Sequence, residues 1–326
     1  MLLAGDVGGT KTLLAIFERH PIRPSPVDVR SFPTMEFESL ADIVAVFLAD
    51  EGLTSDRIEA ACFGVAGPVL DGAANLTNVG WTVRASDISA RVGLPAVRLL
   101  NDLEAMAWSV SVLSPTELEV LQAGEDAPHA TAAIIAAGTG LGMAILQRGA
   151  NGTFVPVASE GGHVDFAPRT PREIDLLRAM LASHHRVQLE DIVSGPGLID
   201  LHRFTHTNAC GVLSSVSSFT EAPAMISTAA LEGRCASCVE ALNLFTTIYG
   251  SAAGNLTLTA AAIGGLYVGG GIAPKILPAL RNGLFMAAFR DKAPMEALLA
   301  RVPVRVILNP EAGLLGAAVH INGLQV

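Results

Sequence analysis

The sequence predicts an α/β protein, and three observations carry that prediction. Short apolar runs ending in glycine turns recur along the chain, at "MLLAGDVGGT", "IEAACFGVAGPV", "ATAAIIAAGTGLGMAIL" and "GGLYVGGGIAPKIL", and such runs read as buried strands. Between them stand stretches of good helix formers without breakers, such as "LEAMAWSV". The length of 326 residues, 50% of them hydrophobic and 16% charged, suffices for two domains sharing a cleft or for one large α/β unit.

The elements follow in order. The opening run meets Asp6 and a glycine turn. It nearly matches the phosphate loop G-x-x-x-x-G-K-[ST], with Gly5 and Lys11-Thr12 in place but Thr10 where the second glycine belongs. A phosphate loop of that kind feeds a helix. This turn feeds the apolar "LLAIF", a second strand, so a hairpin is expected. "AVRLLND" is a further strand ending on Asn101-Asp102, and "LEAMAWSV" is the helix after it. The Gly138-Thr139-Gly140 turn again joins two apolar strands, an echo of the Asp6 region. Two such hairpins facing each other across a cleft would grip a polyphosphate from both sides. Gly269-Gly270-Gly271 leads from strand to helix. The end, "EAGLLGAAVHINGL", is a small-residue helix suited to close packing. A boundary near Val110 to Pro115 divides residues 1–110, a small domain to which the helix at 311–326 returns, from a larger domain at 111–310.

Net charge is −10, and the lysines are Lys11, Lys275 and Lys292 alone. With no basic face, nucleic-acid and anionic-membrane partners are disfavoured. Local phosphate binding through backbone amides is not. The N-terminus lacks a basic region before Asp6, unlike a signal peptide. The uncharged stretch from Ala241 to Pro274 carries Asn243, Asn255 and several glycines and threonines, and reads as a buried helix and strand rather than a membrane span. Four dispersed cysteines do not make a disulfide framework, and the reducing cytoplasm is the default.

Several polar residues stand where chemistry is done, each beside a plainer alternative. Asp6, at a strand end beside glycines, either holds Mg²⁺, directly or through water, or caps its own turn. Asn101 and Asp102 either meet a ligand at the carboxyl edge of a sheet or cap the following helix. An aspartate there would also accept a proton from a substrate hydroxyl. Glu160 and His163 flank Gly161-Gly162, which argue against a helix. They offer a polyol an acceptor and a group that both donates and accepts, or else form a solvated turn. Glu190 precedes the break at Gly195 to Gly197 and either joins that set or favours a helix N-terminus. Cys235-x-x-Cys238 and His202-x-x-x-His206 combine into a zinc site only on paper, because the spacing is nonstandard and the cysteines lie in a helical pattern. The dinucleotide fingerprint and the HExxH, G-x-S-x-G and H-R-D motifs are absent.

"GDVGGTKT", "LLNDLEAMAW", "GTGLGMAIL", "SEGGHVDFAP", "EDIVSGPGLIDL", "YVGGGIAPKIL" and "NPEAGLLGAAVH" occur in the order seen in bacterial glucokinases, and the chain resembles that family over nearly its whole length. The resemblance implies a two-domain actin-like ATPase (ribonuclease H-like) fold with an interdomain cleft. It implies transfer of phosphate from ATP, with Mg²⁺, to the 6-hydroxyl of glucose in the cytoplasm, often by a homodimer. By position, Asp102 corresponds to the general base, and Asn101, Glu160, His163 and Glu190 to the glucose contacts. Gly5, Asp6, Val7, Gly8, Gly9 and Thr10 correspond to the first phosphate motif, and Gly138, Thr139 and Gly140 to the second. Gly269, Gly270 and Gly271 lie where adenosine is covered. Lys11 takes no catalytic role. Gly64 to Gly67 and the segment near Val110 are the expected hinge or lid. Some related sugar kinases carry a zinc motif of closely spaced cysteines after the histidine. That cluster is missing here, which favours the glucokinase branch and removes that zinc. The alternatives are a kinase for mannose or an N-acetylated hexosamine, an acyl or carboxylate kinase, or a sugar-sensing regulator on the same fold. The segment from Thr205 to Ala224 has no assigned role.

Overall fold

In the computed structural model, residues 1–76, 79–149, 152–206, 210–213 and 221–323 are described. The chain opens with β1 (Leu2–Val7) and β2 (Lys11–Glu18), paired antiparallel, and β3 (Ser25–Pro33) continues the meander. After α1 (Leu40–Asp50), β4 (Ala60–Val65) runs parallel to β1. A small antiparallel sheet of β5 (Val69–Leu70), β6 (Ala73–Leu76) and β7 (Trp81–Arg84) follows. Then come α2 (Ala85–Val92), β8 (Val97–Asn101), which is parallel to β4, and α3 (Asp102–Ser109). The sheet order is β3-β2-β1-β4-β8.

Side-chain alternation sorts this sheet into two faces. On one, Leu3 and Val7 of β1 and Ala61, Phe63 and Val65 of β4 pack with Ile43 and Phe47 of α1. On the other, Leu2, Ala4, Ala60 and Cys62 pack with Ala105 of α3 and with Leu314, Leu315 and Ile321 near the C-terminus. Asp6 and Gly64 share the parity of this second face and are register partners.

The rest of the chain repeats the scheme. It contains β9 (Leu118–Gln122), β10 (Ala132–Ala137), β11 (Leu141–Arg148), β12 (Phe154–Ser159), α4 (Pro171–Met180), α5 (Gly195–Thr205), α6 (Ala222–Leu231) and α7 (Ala236–Thr259). After these come β13 (Gly265–Gly269), α8 (Leu277–Arg281), α9 (Leu284–Arg290), α10 (Glu296–Leu299), β14 (Val304–Ile307) and α11 (Ala312–Asn322). The second sheet runs β12-β11-β10-β13-β14-β9, with β10, β13 and β14 parallel. The uncharged stretch read as helix then strand is α7 and β13. No helix among the described residues is long and apolar enough to cross a membrane.

The chain divides into two compact units, one of residues Met1–Ser114, Thr153–Ala158 and Asn309–Val326, the other of Pro115–Gly152 and Ser159–Leu308. The expected C-terminal helix ends at Asn322, and residues 324–326 lie outside the described ones. Residues 207–209 and 214–220 of the unassigned segment lie outside them as well.

In the first unit, α11 lies against α3 with almost no space between backbones, because a Cβ at Gly316 would run into the Ala105 carbonyl. Its small residues therefore serve contact rather than flexibility. Gly316→Ala is expected to cost roughly 1–3 kcal/mol through overpacking. Gly323→Ala, where a Cβ meets open space, is expected to be nearly neutral. Urea midpoints of the two variants test the contrast.

Candidate functional site

In the first unit the polar candidates gather at the carboxyl ends of parallel strands, the edge where open α/β sheets bind ligands. Asp6 is the sixth residue of the chain and the penultimate residue of β1. Its neighbours on that face are glycines. A Cβ at Gly313, in the first turn of α11, would sit 3.1 Å from an Asp6 carboxylate oxygen, and one at Gly64 would lie 3.7 Å from Asp102 Cα. Burial pushes the Asp6 pKa up to about 6, the negative charge of Asp102 pushes the same way, and Lys11 opposes both. The two carboxylates are thus close enough to raise each other's cost of ionisation, which favours a cation or protons there.

Asp102 begins α3 and is exposed. Asn101 is the helix cap: its Oδ1 accepts from the amides of Leu103 (3.0 Å) and Glu104 (3.4 Å), and its Nδ2 donates to the Gly67 carbonyl (3.1 Å). Both readings of this dipeptide therefore hold at once, the cap falling on Asn101 and leaving the Asp102 carboxylate displayed at the helix start. Asp102 Oδ1 also accepts from the Leu103 amide at 2.8 Å.

The first glycine turn is shorter than its motif. Gly5 and Val7 lie inside β1 between β2 and β4, so their amides belong to sheet ladders. A Cβ at Gly5 would meet Phe63 at 2.5 Å, which makes this glycine a packing residue. The loop proper is Gly8, Gly9 and Thr10. The Gly8 amide donates to the Lys11 carbonyl (3.0 Å), Thr34 Oγ1 donates to the Gly8 carbonyl (2.9 Å), and the Thr34 amide donates to the Thr10 carbonyl (3.0 Å). These bonds hold the tip from behind. Of the segment Gly64 to Gly67, Gly64 and Val65 are paired on both sides, to β1 and β8, and Gly64 is small because the Ala105 methyl would lie 2.9 Å from its Cβ, whereas Ala66 and Gly67 follow the strand, Gly67 at φ +115°.

In the second unit the structure brings together Glu160, His163, Glu190 and the turn of Gly138, Thr139 and Gly140. Glu160 precedes a single 3₁₀ turn, Gly161–His163, where only a loop was expected. The Glu190 amide donates to the Gly162 carbonyl (2.9 Å), and Glu190 Oε2 accepts from the Leu141 amide (2.8 Å), directly after the glycine turn. His163 Nε2 lies 3.7 Å from Glu160 Oε2. Its Nδ1 lies 3.2 Å from Gln188 Oε1, which also accepts from Arg186 Nη2 at 3.1 Å. An oxygen that accepts from arginine accepts from the imidazole too, so the proton sits on Nδ1. Arg186 and Gln188 were not anticipated from the sequence. Their alternation with Glu190, four and two residues before it, is the local signal that could have found them.

The Gly138 amide donates to the Gly140 carbonyl (2.8 Å), and the Gly138 carbonyl accepts from the Gly195 amide (2.9 Å). Gly195 starts α5, capped by Ser194, so a helix N-terminus adjoins this turn, another feature the sequence reading did not assign. Gly269 ends β13 beside Ala136 of β10. Gly270 has φ +83° and Gly271 is exposed. A cavity of about 200 Å³ in this unit is lined by Gly161, Val164 and Leu189, next in the chain to Glu160, His163 and Glu190, together with Met143, Phe166 and Arg169, while the three candidate side chains themselves do not line it. Contrary to the sequence-based expectation, the paired histidines and cysteines do meet: donor atoms of His202, His206, Cys210 and Cys238 lie within 4.8 Å of one another.

A family model described as Glucokinase matches residues 3–323. The chain belongs to the glucokinase family. A glucokinase of Nostoc sp. is 38% identical over 98% of both chains, and one of Synechocystis sp. is 36% identical over 97% of this chain and 96% of its own. Among solved structures, the glucokinase of an Antarctic psychrotroph matches with a TM-score of 0.85 at 30% identity over 99% of each chain. A ROK family glucokinase from Streptomyces griseus, solved with glucose and AMPPNP, matches with a TM-score of 0.67 at 24% identity over 97% of each chain. The fold is accordingly the two-domain actin-like ATPase fold of the sugar kinases.

The raised pKa of Asp6 has a measurable consequence for this glucokinase-family chain. A carboxyl that holds its proton more tightly when folded loses stability as pH rises from 3.8 through about 6, and the full penalty stands above that. Asp6→Asn is expected to stabilise the ligand-free protein by on the order of 1–3 kcal/mol near neutral pH, with the gain vanishing by about pH 4. Denaturant titrations at several pH values test this.

Proposed function

We propose that the chain transfers the γ-phosphoryl group of ATP to the 6-hydroxyl of glucose, the glucokinase reaction (EC 2.7.1.2). The observation that carries the proposal is the carboxylate pair of Asp6 and Asp102, displayed at the carboxyl ends of parallel strands in a member of this family. The structures solved with glucose, from Balamuthia mandrillaris, and with glucose and AMPPNP, from Streptomyces griseus, support the same pair of substrates for this chain.

Asp102 is the general base. It sits exposed at the start of α3, able to orient the attacking hydroxyl and take its proton, which contributes about 10²–10⁴-fold in rate. Asn101 is fixed by its capping bonds and offers its remaining capacity to sugar. Glu160, His163 and Glu190 take further hydroxyls, and discrimination arises because a missing or inverted hydroxyl strands these groups without partners. Gly8 to Thr10 and Gly138 to Gly140 approach phosphate through their backbones, and Gly269 to Gly271 lie under adenosine. The residues fit Mg²⁺: a carboxylate held against its will beside a second one gains most from a cation. Asp6 would hold it, directly or through water, and the ion would neutralise polyphosphate charge. A cytoplasmic homodimer accompanies this reading, and light scattering tests the dimer.

The decisive experiment is a coupled assay over glucose, mannose, fructose and N-acetylglucosamine with ATP and Mg²⁺. Glucose is expected to give the highest kcat/KM, and preference for another sugar overturns the substrate assignment. Asp102→Ala is expected to lower kcat by about 10²–10⁴-fold while calorimetric glucose affinity stays within severalfold of wild type. Turnover near the wild-type rate would remove Asp102 from the role. Glu190→Gln is expected to weaken both glucose and nucleotide binding, because its carboxylate also holds the Leu141 amide after the second glycine turn.

A further inference from the structure

We propose that the second unit carries a structural zinc centre, separate from the phosphoryl-transfer site, made by His206, Cys210, Cys235 and Cys238. The four residues come from three places in the sequence. His206 caps the C-terminus of α5, Cys210 follows four residues later, and Cys235 and Cys238 occupy the N-cap and the first turn of α7. At a helix start, residues three apart turn their side chains the same way, so the CxxC is consistent with the helical pattern and still presents both sulfurs together.

The distances are those of a tetrahedral site. With bonds of about 2.3 Å to sulfur and about 2.0–2.1 Å to nitrogen, tetrahedral angles separate two sulfurs by about 3.8 Å and a sulfur from a nitrogen by about 3.5 Å. Cys235 Sγ lies 3.4 Å from His206 Nε2, Cys238 Sγ 3.9 Å from the same nitrogen, and Cys210 Sγ 4.0 Å from Cys235 Sγ. His206 is also oriented as metal-binding histidines are. Its Nδ1 lies 2.7 Å from the His202 carbonyl, so the proton resides there and Nε2 presents its lone pair. A second observation points to a ligand. His202 stacks on His206 with ring centroids 3.7 Å apart. Its Nε2 is buried with no hydrogen-bond partner among the described residues, although its donor atom lies within 4.8 Å of those of His206, Cys210 and Cys238. A buried polar atom without a partner is expensive, and His202 Nε2 is such an atom beside the four converging ligand atoms.

Binding breaks three S–H bonds, releases three protons to solvent, and forms three Zn–S bonds and one Zn–N bond without any change of oxidation state. Three thiolates and a neutral imidazole fill four positions, leaving none for a substrate, so the centre is structural rather than catalytic. The N-terminus of α7 favours the thiolate form, and the Cys238 amide donates to Cys235 Sγ at 3.4 Å. The centre ties the C-terminus of α5 to the N-terminus of α7. The opposite end of α5 carries the Gly195 amide bonded to Gly138, so the staple steadies a helix that touches the second glycine turn.

The test is metal analysis of the full chain, purified without chelator and desalted. About one zinc per chain is expected. Cobalt replacing it is expected to give the thiolate charge-transfer and visible bands of a tetrahedral site. Cys235→Ser, Cys238→Ser and His206→Ala are each expected to lose roughly 100-fold or more in zinc affinity. Stripping zinc from the wild type with a strong chelator is expected to lower its melting temperature reversibly, a readout that needs no variant to fold. Wild-type protein that neither retains zinc nor gives the cobalt spectrum overturns the proposal. So does undiminished zinc in the cysteine variants, or a Cys210–Cys235 disulfide in the unreduced protein.

Discussion

The first unit depends on one unfavourable placement, the carboxylate of Asp6 held against the α3 and α11 face of its sheet. β1 commits its odd-numbered residues to one apolar face and Leu2 and Ala4 to the other, and Asp6 continues the second series where the next residue would ordinarily be apolar. Its burial and the neighbouring charge of Asp102 both resist ionisation. The surroundings are built to tolerate this placement. Gly313 leaves room beside the Asp6 carboxylate and Gly64 leaves room for the Ala105 methyl, and α11 is admitted so close to α3 only because its own residues are small. A larger residue at Gly313 would press on the Asp6 carboxylate. The region is thus an electrostatic liability in the ligand-free chain and a prepared seat for positive charge, and both properties have the same geometric cause.

In the second unit a different carboxylate organises the neighbourhood. Glu190 receives the Leu141 amide through its side chain and bonds the Gly162 carbonyl through its own amide. It therefore joins the turn that carries Glu160 and His163 to the turn of Gly138 to Gly140. Glycine at 140 lets the Glu190 carboxylate come this close, because a Cβ there would lie 2.5 Å from Glu190 Oε2 and displace it. A side chain that also fastens the phosphate turn cannot be altered for sugar selectivity alone. Within the second unit, the residues proposed for sugar and those of the glycine turn are mechanically one piece.

Much of this was legible because strands and glycine turns leave strong local marks. "MLLAGDVGGT" and "LLAIF" read as a hairpin from apolar content and the absence of a helix pattern after the turn, and Leu2–Val7 and Lys11–Glu18 pair there as β1 and β2. Asp102 was legible as the residue after an apolar strand and before uninterrupted helix formers. What escaped reading was set by contacts distant in sequence. Gly5 looked like part of a loop, yet its neighbour is Phe63, and Gly64 looked like a hinge, yet it faces Ala105. A glycine marks a backbone freedom or a close approach with the same letter, and only the partner tells which. Gln188 and Arg186 likewise escaped because their role is to hold another residue, His163.

The histidines and cysteines of the second unit show the same limit from the other side. His202-x-x-x-His206 and Cys235-x-x-Cys238 are each ordinary helix spacings, and nothing local distinguishes a pair of buried side chains from half of a metal site. Their meaning arises from α5 ending where α7 begins, a relation between segments about thirty residues apart, with Cys210 entering from the connection. Such a cross-link suits a place where the chain leaves one helix and must return to the start of another. Apolar packing of α5, α6 and α7 already fixes the helix bodies, but packing constrains helix ends least, since the terminal backbone groups lack helical partners. A point bond between the two ends supplies the constraint there. Through α5 it also bears on Gly138, whose carbonyl depends on the first amide of that helix.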